Sequence, residues 1–318
     1  MKKLRLARPV IFAIMITLTY SCQSAWADSS GDNPEQPVFF APEAADASVP
    51  VPAPPPKDSG LLWLVNPENR LESNFVPSSL VKSGDYRMRR ETRAAWENML
   101  AALNADGITD LRIQSAYRTY SQQEQIFANK KAQYTGEGHS EAEAEKLTAR
   151  SIAFPGASEH QTGLALDVTV NGRLNGAFAD TEAGRWIAEH CHEYGFVVRY
   201  AEEKTHITGI IFEPWHLRYV GRPHSSFMVE NNLCLEEYAE YLDNNRLYVF
   251  WENVRYHRVE LTQDASALPL ENAEDVSALR PGSEWRVVTV IRKRPAAALP
   301  ALSVFPPHTG NNPFLSSR

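Results

Sequence analysis

Cysteine is scarce. Cys22, Cys191 and Cys234 are the three in 318 residues, too few for a disulfide scaffold, and none stands in a CxxC pair that would point to a zinc ribbon or a thioredoxin-like site. Any metal must therefore use other ligands. Positive charge is short as well: 32 Lys and Arg face 39 Asp and Glu, a formal net charge of −7. That leaves no electrostatic footprint for gripping nucleic acid, and no nucleic-acid partner is expected. No internal repeat is visible. Apolar residues make up 43% of the chain, enough for one sizeable core or two modest ones.

The apolar run from Val10 to about Leu18 is roughly half of the ~20 residues that a bilayer span needs. Lys2, Lys3, Arg5 and Arg8 precede it and Ala25-Trp26-Ala27 offers a small-x-small cleavage site, so residues 1–27 read as an export signal. Two alternatives stay open. The run can remain as an uncleaved membrane tether, or Cys22 can be lipidated, since Thr19-Tyr20-Ser21-Cys22 loosely resembles a lipoprotein signal. In each case the protein is expected outside the cytoplasm, in the envelope or secreted. Loss of residues 1–27 removes four basic and no acidic residues, leaving 28 basic against 39 acidic and a mature net charge of −11.

Residues 28–59 hold eight prolines, ending in Pro50-Val51-Pro52-Ala53-Pro54-Pro55-Pro56. Proline removes backbone donors and favours polyproline II, so this segment is expected to be a disordered, extended stalk. Residues 295–318 read as a loose tail. Between the two, periodicity switches between helix and strand. Met88 to Leu103 puts Ala95, Trp96, Met99, Leu100 and Leu103 on one helical face. Leu111 to Ala116 reads as a strand, Ser121 to about Lys131 as a helix, and Ser140-x-x-Glu143 as the capping box of another. Asp180 is the expected cap of a helix running through Trp186 to Tyr194 and stopped by Gly195. Leu164, Leu166, Val168 and Val170 alternate with Ala165, Asp167 and Thr169 as a strand with one buried face, and Ile207 to Phe212 is a second strand candidate. From Arg246 onward the runs Leu247 to Trp251, Val254 to Leu261 and Trp285 to Ile291 are β-prone with no helix between. The irregular order predicts α+β: a domain over 60–245 and a small β appendage over 246–294.

Two segments place unlike polar residues in an apolar context. In Ser158-Glu159-His160-Gln161-Thr162-Gly163-Leu164-Ala165-Leu166-Asp167, an imidazole in a turn and a carboxylate on the polar face of a strand can converge on one cation. Alone, such a pair is ordinarily a solvated turn and a strand-surface acid. Glu213-Pro214-Trp215-His216 supplies a third ligand in His216, and two His with one carboxylate leave the fourth zinc position open, as in a catalytic site. Water attack also needs a base, which Glu213, three residues from a ligand, can provide; Glu159 is the nearest other carboxylate in sequence. Pro214 forbids a regular central strand, so alternation cannot say where Glu213 and His216 face. Arg118, in Ser115-Ala116-Tyr117-Arg118-Thr119-Tyr120, stands where a strand gives way to a helix and can donate to a developing oxyanion; its ordinary reading is a surface arginine. His190 and His192, two apart on one helix, cannot share a metal. His139, His206, His224, His257 and His308 read as surface residues, and Cys191 and Cys234 as two buried thiols, with a disulfide between them the alternative outside the cell.

Ser-x-His-x-x-Gly-x-Ala-x-Asp at 158–167, Glu-Pro-Trp-His-Leu-Arg-Tyr-Val-Gly at 213–221 and Ser-Ala-Tyr-Arg-Thr-Tyr at 115–120 together resemble the VanY-type D-alanyl-D-alanine carboxypeptidase family, zinc peptidases of the Hedgehog/DD-peptidase type. The resemblance runs from about Leu61 to Leu242. It implies a small zinc peptidase domain of mixed helices and a mainly antiparallel sheet, with one Zn2+ per chain on His160, Asp167 and His216. It further implies Glu213 as catalytic acid and base, Arg118 as the carbonyl-polarising arginine, and Ser158 and Gln123 lining the substrate site. Peptidoglycan stem peptides are then the expected substrate and a monomer the expected state. Three functions follow: a D,D-carboxypeptidase, an L,D-carboxypeptidase trimming tetrapeptides, or a wall-binding module that keeps the zinc fold without turnover.

Overall fold

A strap of chain at Ser59 to Leu64 lies between two sheets: Ser59 N–H donates to the carbonyl of Val276 and Leu64 N–H to that of Leu279. The computed structural model describes residues 58–252, 255–263 and 273–293. The export segment with Cys22, nearly all of the proline-rich stalk and the tail from 295 lie outside them. After the strap, β1 (Leu80–Ser83) and β2 (Tyr86–Arg89) form a hairpin around Gly84, whose φ of 58° suits a tight two-residue turn. The hairpin corrects the helix start expected at Met88. Met88 pairs with Val81 in the hairpin and is fully buried, and α1 begins two residues later (Arg90–Ala105). Ala95, Trp96, Met99 and Leu103 of the expected stripe are buried together with Thr92, while Leu100 is only partly buried at its edge.

β3 (Arg112–Ser115) leads into α2 (Tyr120–Gly136), opened by a reciprocal capping box between Thr119 and Gln122. α3 (Glu141–Ala149) starts where the Ser140 hydroxyl accepts from the Glu143 N–H, one half of the expected capping box. β4 (Ala165–Thr169) follows, then α4 (Glu182–His190), capped by Thr181 and not by Asp180: the Thr181 hydroxyl accepts from Gly184 N–H, while Asp180 ends the preceding 3-10 turn. Gly195, with a φ of 86°, closes the segment as expected and β5 (Phe196–Tyr200) begins.

The strand expected at Ile207 to Phe212 is absent. Residues Thr205–Thr208 form a single helical turn, α5, ended by Gly209 at φ 73°, and the strand is β6 (Glu213–Tyr219). β6 is central despite Pro214, in the antiparallel order β3-β4-β6-β5. Its pairing with β4 begins only at His216, and its register with β5 shifts between Val198 and Tyr200. Pro214 sits at that irregularity, where its missing N–H costs the ladder nothing.

One face of this sheet carries Ile113, Leu166, Val168 and Leu217 against Trp96, Met99 and Leu103 of α1 and Ile187 of α4. A second core joins α6 (His224–Glu230) and α7 (Leu235–Asn245) to an antiparallel sheet of β7 (Leu247–Glu252), β8 (Arg255–Thr262), β9 (Ala273–Ser277) and β10 (Arg286–Lys293), ordered β7-β8-β10-β9. Leu62, Leu64 and Val220 share this core with Leu235, Leu242, Val259, Leu261 and Val287. Two expected surface histidines belong to the interior: His224 and His257 are 1% and 4% exposed. His224 Nδ1 lies 2.6 Å from the Tyr238 hydroxyl and its Nε2 3.1 Å from Thr289 Oγ1, so burial leaves neither nitrogen unsatisfied. Cys191 and Cys234 are buried free thiols.

Candidate metal centre

Antiparallel pairing sets Asp167 of β4 directly opposite His216 of β6, so two residues 49 apart in sequence project side by side from the sheet face opposite the α1 core. His160 arrives from a 3-10 turn (Glu159–Thr162) that ends at Gly163, in the left-handed region at φ 72°. A Cβ at Gly163 would sit 2.9 Å from Leu80 Cδ2 and 3.1 Å from Arg89 Cγ. Glycine is thus required there both for the turn and for the approach of the hairpin. The ring of His160 is fixed by its Nδ1, 2.6 Å from the carbonyl of Ala116, an acceptor that makes Nδ1 the protonated nitrogen and leaves the Nε2 lone pair free.

His160 Nε2 lies 3.2 Å from Asp167 Oδ2, and His216 Nδ1 lies 3.1 Å from Asp167 Oδ1. One ligand atom from each of the three residues falls within 4.8 Å of the others. All three are buried, and His160 Nε2 has no hydrogen-bond partner. A buried imidazole nitrogen left without a donor, beside a carboxylate and a second imidazole, is what a cation would satisfy, and the N2O donor set suits zinc with a position to spare. The residues present therefore fit the ion that the sequence implied.

Electrostatics around the cluster are divided. Burial would raise the Asp167 carboxyl, yet the imidazoles of His160 and His216 hold it well below its ordinary value. Burial, aided by Arg118, pushes His160 down to about 4. His216 moves up to about 9, because Asp167 and Glu159 outweigh the effect of burial. Glu213 is 8% exposed, with Oε2 3.8 Å from His216 Nδ1, and burial pushes its carboxyl up to about 7, near the value that lets one group both take and return a proton at neutral pH. In a regular strand, residues three apart face opposite ways; the irregularity of β6 around Pro214 brings Glu213 onto the face of His216. Arg118, whose N–H donates to the carbonyl of His160, reaches within 3.5 Å of Asp167 Oδ2.

These groups open into one cavity of about 480 Å3 that Ser158 and Gln123 also line. Gln123 is 2% exposed; its Nε2 donates to the carbonyl of Ala153 at 2.7 Å. Lys130 and Tyr134 of α2 line it too, as do Ile210, Ile211 and Trp215; of these only Trp215 lies in a run that the sequence marks for the site. Glu159, weighed as a reserve base, is committed elsewhere. Against the upward push of burial, Arg199 and Arg218 hold it far below the usual carboxylate range, each 2.8 Å from its Oε1. The signal was present in sequence: Arg199 and Arg218 each interrupt an apolar strand, Phe-Val-Val-Arg-Tyr and Trp-His-Leu-Arg-Tyr.

Comparison with known proteins gives this arrangement its family. Residues 85–222 match the D-alanyl-D-alanine carboxypeptidase family, VanY. The chain is 37% identical over 193 residues to a putative carboxypeptidase, YodJ, of Bacillus subtilis (strain 168), the alignment covering 57% of this chain and 67% of that protein. Among solved structures, it is similar to a vancomycin-resistance D,D-pentapeptidase VanY in complex with Zn(II), with 34% identity and a TM-score of 0.51 over 57% of this chain and 99% of the other. It is also similar to the LdcB LD-carboxypeptidase, with 36% identity and a TM-score of 0.50 over 57% of this chain and 86% of that one. The α+β architecture and the ordered motifs around His160, Asp167 and His216 accord with these matches, and the chain belongs to the VanY family of D-alanyl-D-alanine carboxypeptidases.

Proposed function

We propose that the protein is a zinc-dependent D,D-carboxypeptidase that removes terminal D-alanine from peptidoglycan stem peptides. The observation that carries this reading is the convergence of His160, Asp167 and His216 in one cavity with Glu213 and Arg118 at its edge. His160, Asp167 and His216 hold the ion. Zinc, when bound, supplies Lewis acidity at the scissile carbonyl and makes water acidic enough to attack near neutral pH. Glu213 takes the proton of the attacking water on its carboxylate and returns it to the departing amine of D-alanine. Arg118 brings a permanent charge to the oxygen that becomes negative as the carbonyl turns tetrahedral. Ser158 and Gln123 bound the space for the terminal residue.

A second reading is favoured by the similarity to the LD-carboxypeptidase: the same residues act on the carbonyl and not on the neighbouring stereocentres, so an L,D-carboxypeptidase trimming tetrapeptides would need the same set. Release of D-alanine from synthetic pentapeptide and tetrapeptide, with and without chelator, decides between them. Pentapeptide turnover lost on chelation supports the first reading; turnover of tetrapeptide alone supports the second, and release from neither sinks both. We further propose that the protein works outside the cytoplasm as a monomer, held off the membrane or secreted by way of residues 1–59. N-terminal sequencing of the mature protein and its sedimentation test this, and a cytoplasmic chain with Met1 intact would refute it.

A further inference from the structure

Beneath the metal cluster lies a chain of buried charges that the proposed chemistry does not use. Glu159, Arg199 and Arg218 have side chains no more than 1% exposed. Glu159 Oε1 is shared between Arg199 Nε and Arg218 Nη1, each at 2.8 Å. Arg218 Nη2 donates to the carbonyls of Leu61 and Trp63 in the strap. Arg199 makes a fork with Glu236, Nη1 to Oε2 at 2.9 Å and Nη2 to Oε1 at 2.7 Å. Two arginines and two glutamates balance, as so deep a group must.

Two atoms of this set lack a hydrogen bond: Arg218 Nη1, which is ion-paired to Glu159 Oε1, and Glu159 Oε2. Glu159 Oε2 is buried with no hydrogen-bond partner, and so is Nε2 of His216. The two are 3.6 Å apart, about half an ångström beyond a hydrogen bond, so a small movement satisfies both at once. On the other side of the ring, Nδ1 faces Asp167 Oδ1 at 3.1 Å. A ring that donates Nε2–H to a carboxylate has its lone pair on Nδ1, and a carboxylate behind a metal-binding imidazole fixes both tautomer and orientation.

We propose that Glu159 is the positioning residue of His216: it holds the proton on Nε2 and so delivers Nδ1 to the ion, while Glu236, through Arg199, holds Glu159 in place. Glu236 belongs to α7, beyond the residues 85–222 that match the family. The part of the chain that carries the second core thereby sets the affinity of the metal centre without touching it.

The inference rests on the zinc reading, and the test separates the two. Zinc affinity of the full chain is measured by competition with a chromophoric chelator for wild type, Glu159→Gln and Glu236→Gln, and the thermal midpoint of each metal-free protein is recorded. Glu159→Gln is expected to weaken zinc binding by about 10–100-fold, the usual effect of removing the carboxylate behind a ligand, and Glu236→Gln by a smaller factor of about 3–10. In the zinc-loaded wild type, long-range 1H–15N correlation is expected to show His216 protonated at Nε2 and metallated at Nδ1. A proton on Nδ1 would overturn the proposal, as would zinc affinities within twofold of wild type in both variants. If Glu159→Gln fails to fold, the Glu236→Gln affinity and the wild-type spectrum still decide. A wild type that binds no zinc overturns the metal reading itself.

Discussion

Two of the buried imidazoles, His160 and His224, differ in how their ring nitrogens are satisfied. His160 and His224 are each 1% exposed. His224 has a hydroxyl on each ring nitrogen, and Tyr238, its partner on one side, continues to Tyr248 at 2.8 Å. His160 has a carbonyl on Nδ1 and nothing on Nε2, which faces the carboxylate of Asp167. Burial is common to both, so burial does not mark function; an unsatisfied nitrogen beside a carboxylate and a second imidazole does. A closed hydrogen-bond circuit joins α6, α7, β7 and β10 as structure, whereas an open one beside an ionised carboxylate is a place for an ion.

The comparison is broken most directly at the ligands. His160→Ala, Asp167→Ala and His216→Ala should each lower zinc content sharply, with turnover falling below detection; undiminished zinc in all three would abolish the distinction. Next in size is Glu213→Ala. It should keep zinc and fold while kcat drops by at least ~10², the contribution expected of a positioned acid and base. Zinc lost in parallel with activity would make Glu213 a ligand instead, and full activity would leave the proposed proton transfer without a base.

Much of this site could be read in the sequence because its residues come in short runs whose composition is odd for their surroundings. His160, Asp167, Glu213 and His216 stand out that way, and the structure brings them together. What sequence reading lacked was anything fixed by pairing at a distance. Pro214 argued against a central strand, and only the register shift opposite Val198 and Tyr200 shows how β6 accommodates it. His224 looked like a surface residue because its partners, Tyr238 and Thr289, lie 14 and 65 residues away. Thr119 and Thr181 cap helices whose starts were placed at or beside neighbouring residues, within the one- or two-residue uncertainty of any helix end. Glu159 reads as a free carboxylate in sequence because its arginines lie 40 and 59 residues onward, each inside an apolar strand.

A middle-sized effect sharpens the structural half of the comparison. Tyr238→Phe removes the hydroxyl between His224 and Tyr248 and should cost about 1–3 kcal/mol of stability, the penalty for orphaning buried polar atoms, with zinc content unchanged. The same circuit predicts acid lability. Burial pushes His224 down to about 3, so between its ordinary value near 6.5 and about 3 the unfolded chain binds a proton that the folded chain refuses. The stability that neutral His224 confers is therefore present above 6.5 and lost as pH falls towards 3. His224→Gln should remove about one proton from the slope of unfolding free energy against pH in that window. An unchanged slope would show that His224 is not buried neutral.

The smallest effect has the opposite sign. Asp275 of β9 is pushed up to about 6 by burial, against the hydrogen bond from Ser59 and the charge of Arg89, and its Oδ2 has no partner. Here the folded chain holds the proton that the unfolded chain releases, between about 3.8 and 6, so this contribution is present below 3.8 and lost as pH rises through 6. Above that, the fold keeps an incompletely satisfied carboxylate out of water. Asp275→Asn is close in shape and carries no charge, so it should stabilise the protein by about 1–2 kcal/mol at pH 8 and have little effect at pH 3. Denaturant titrations of wild type and variant at the two pH values measure the difference. A variant less stable at pH 8 than wild type would mean that Asp275 is held by Arg89 as a satisfied ion pair, and His224 would then be the chief source of pH dependence on this side of the molecule.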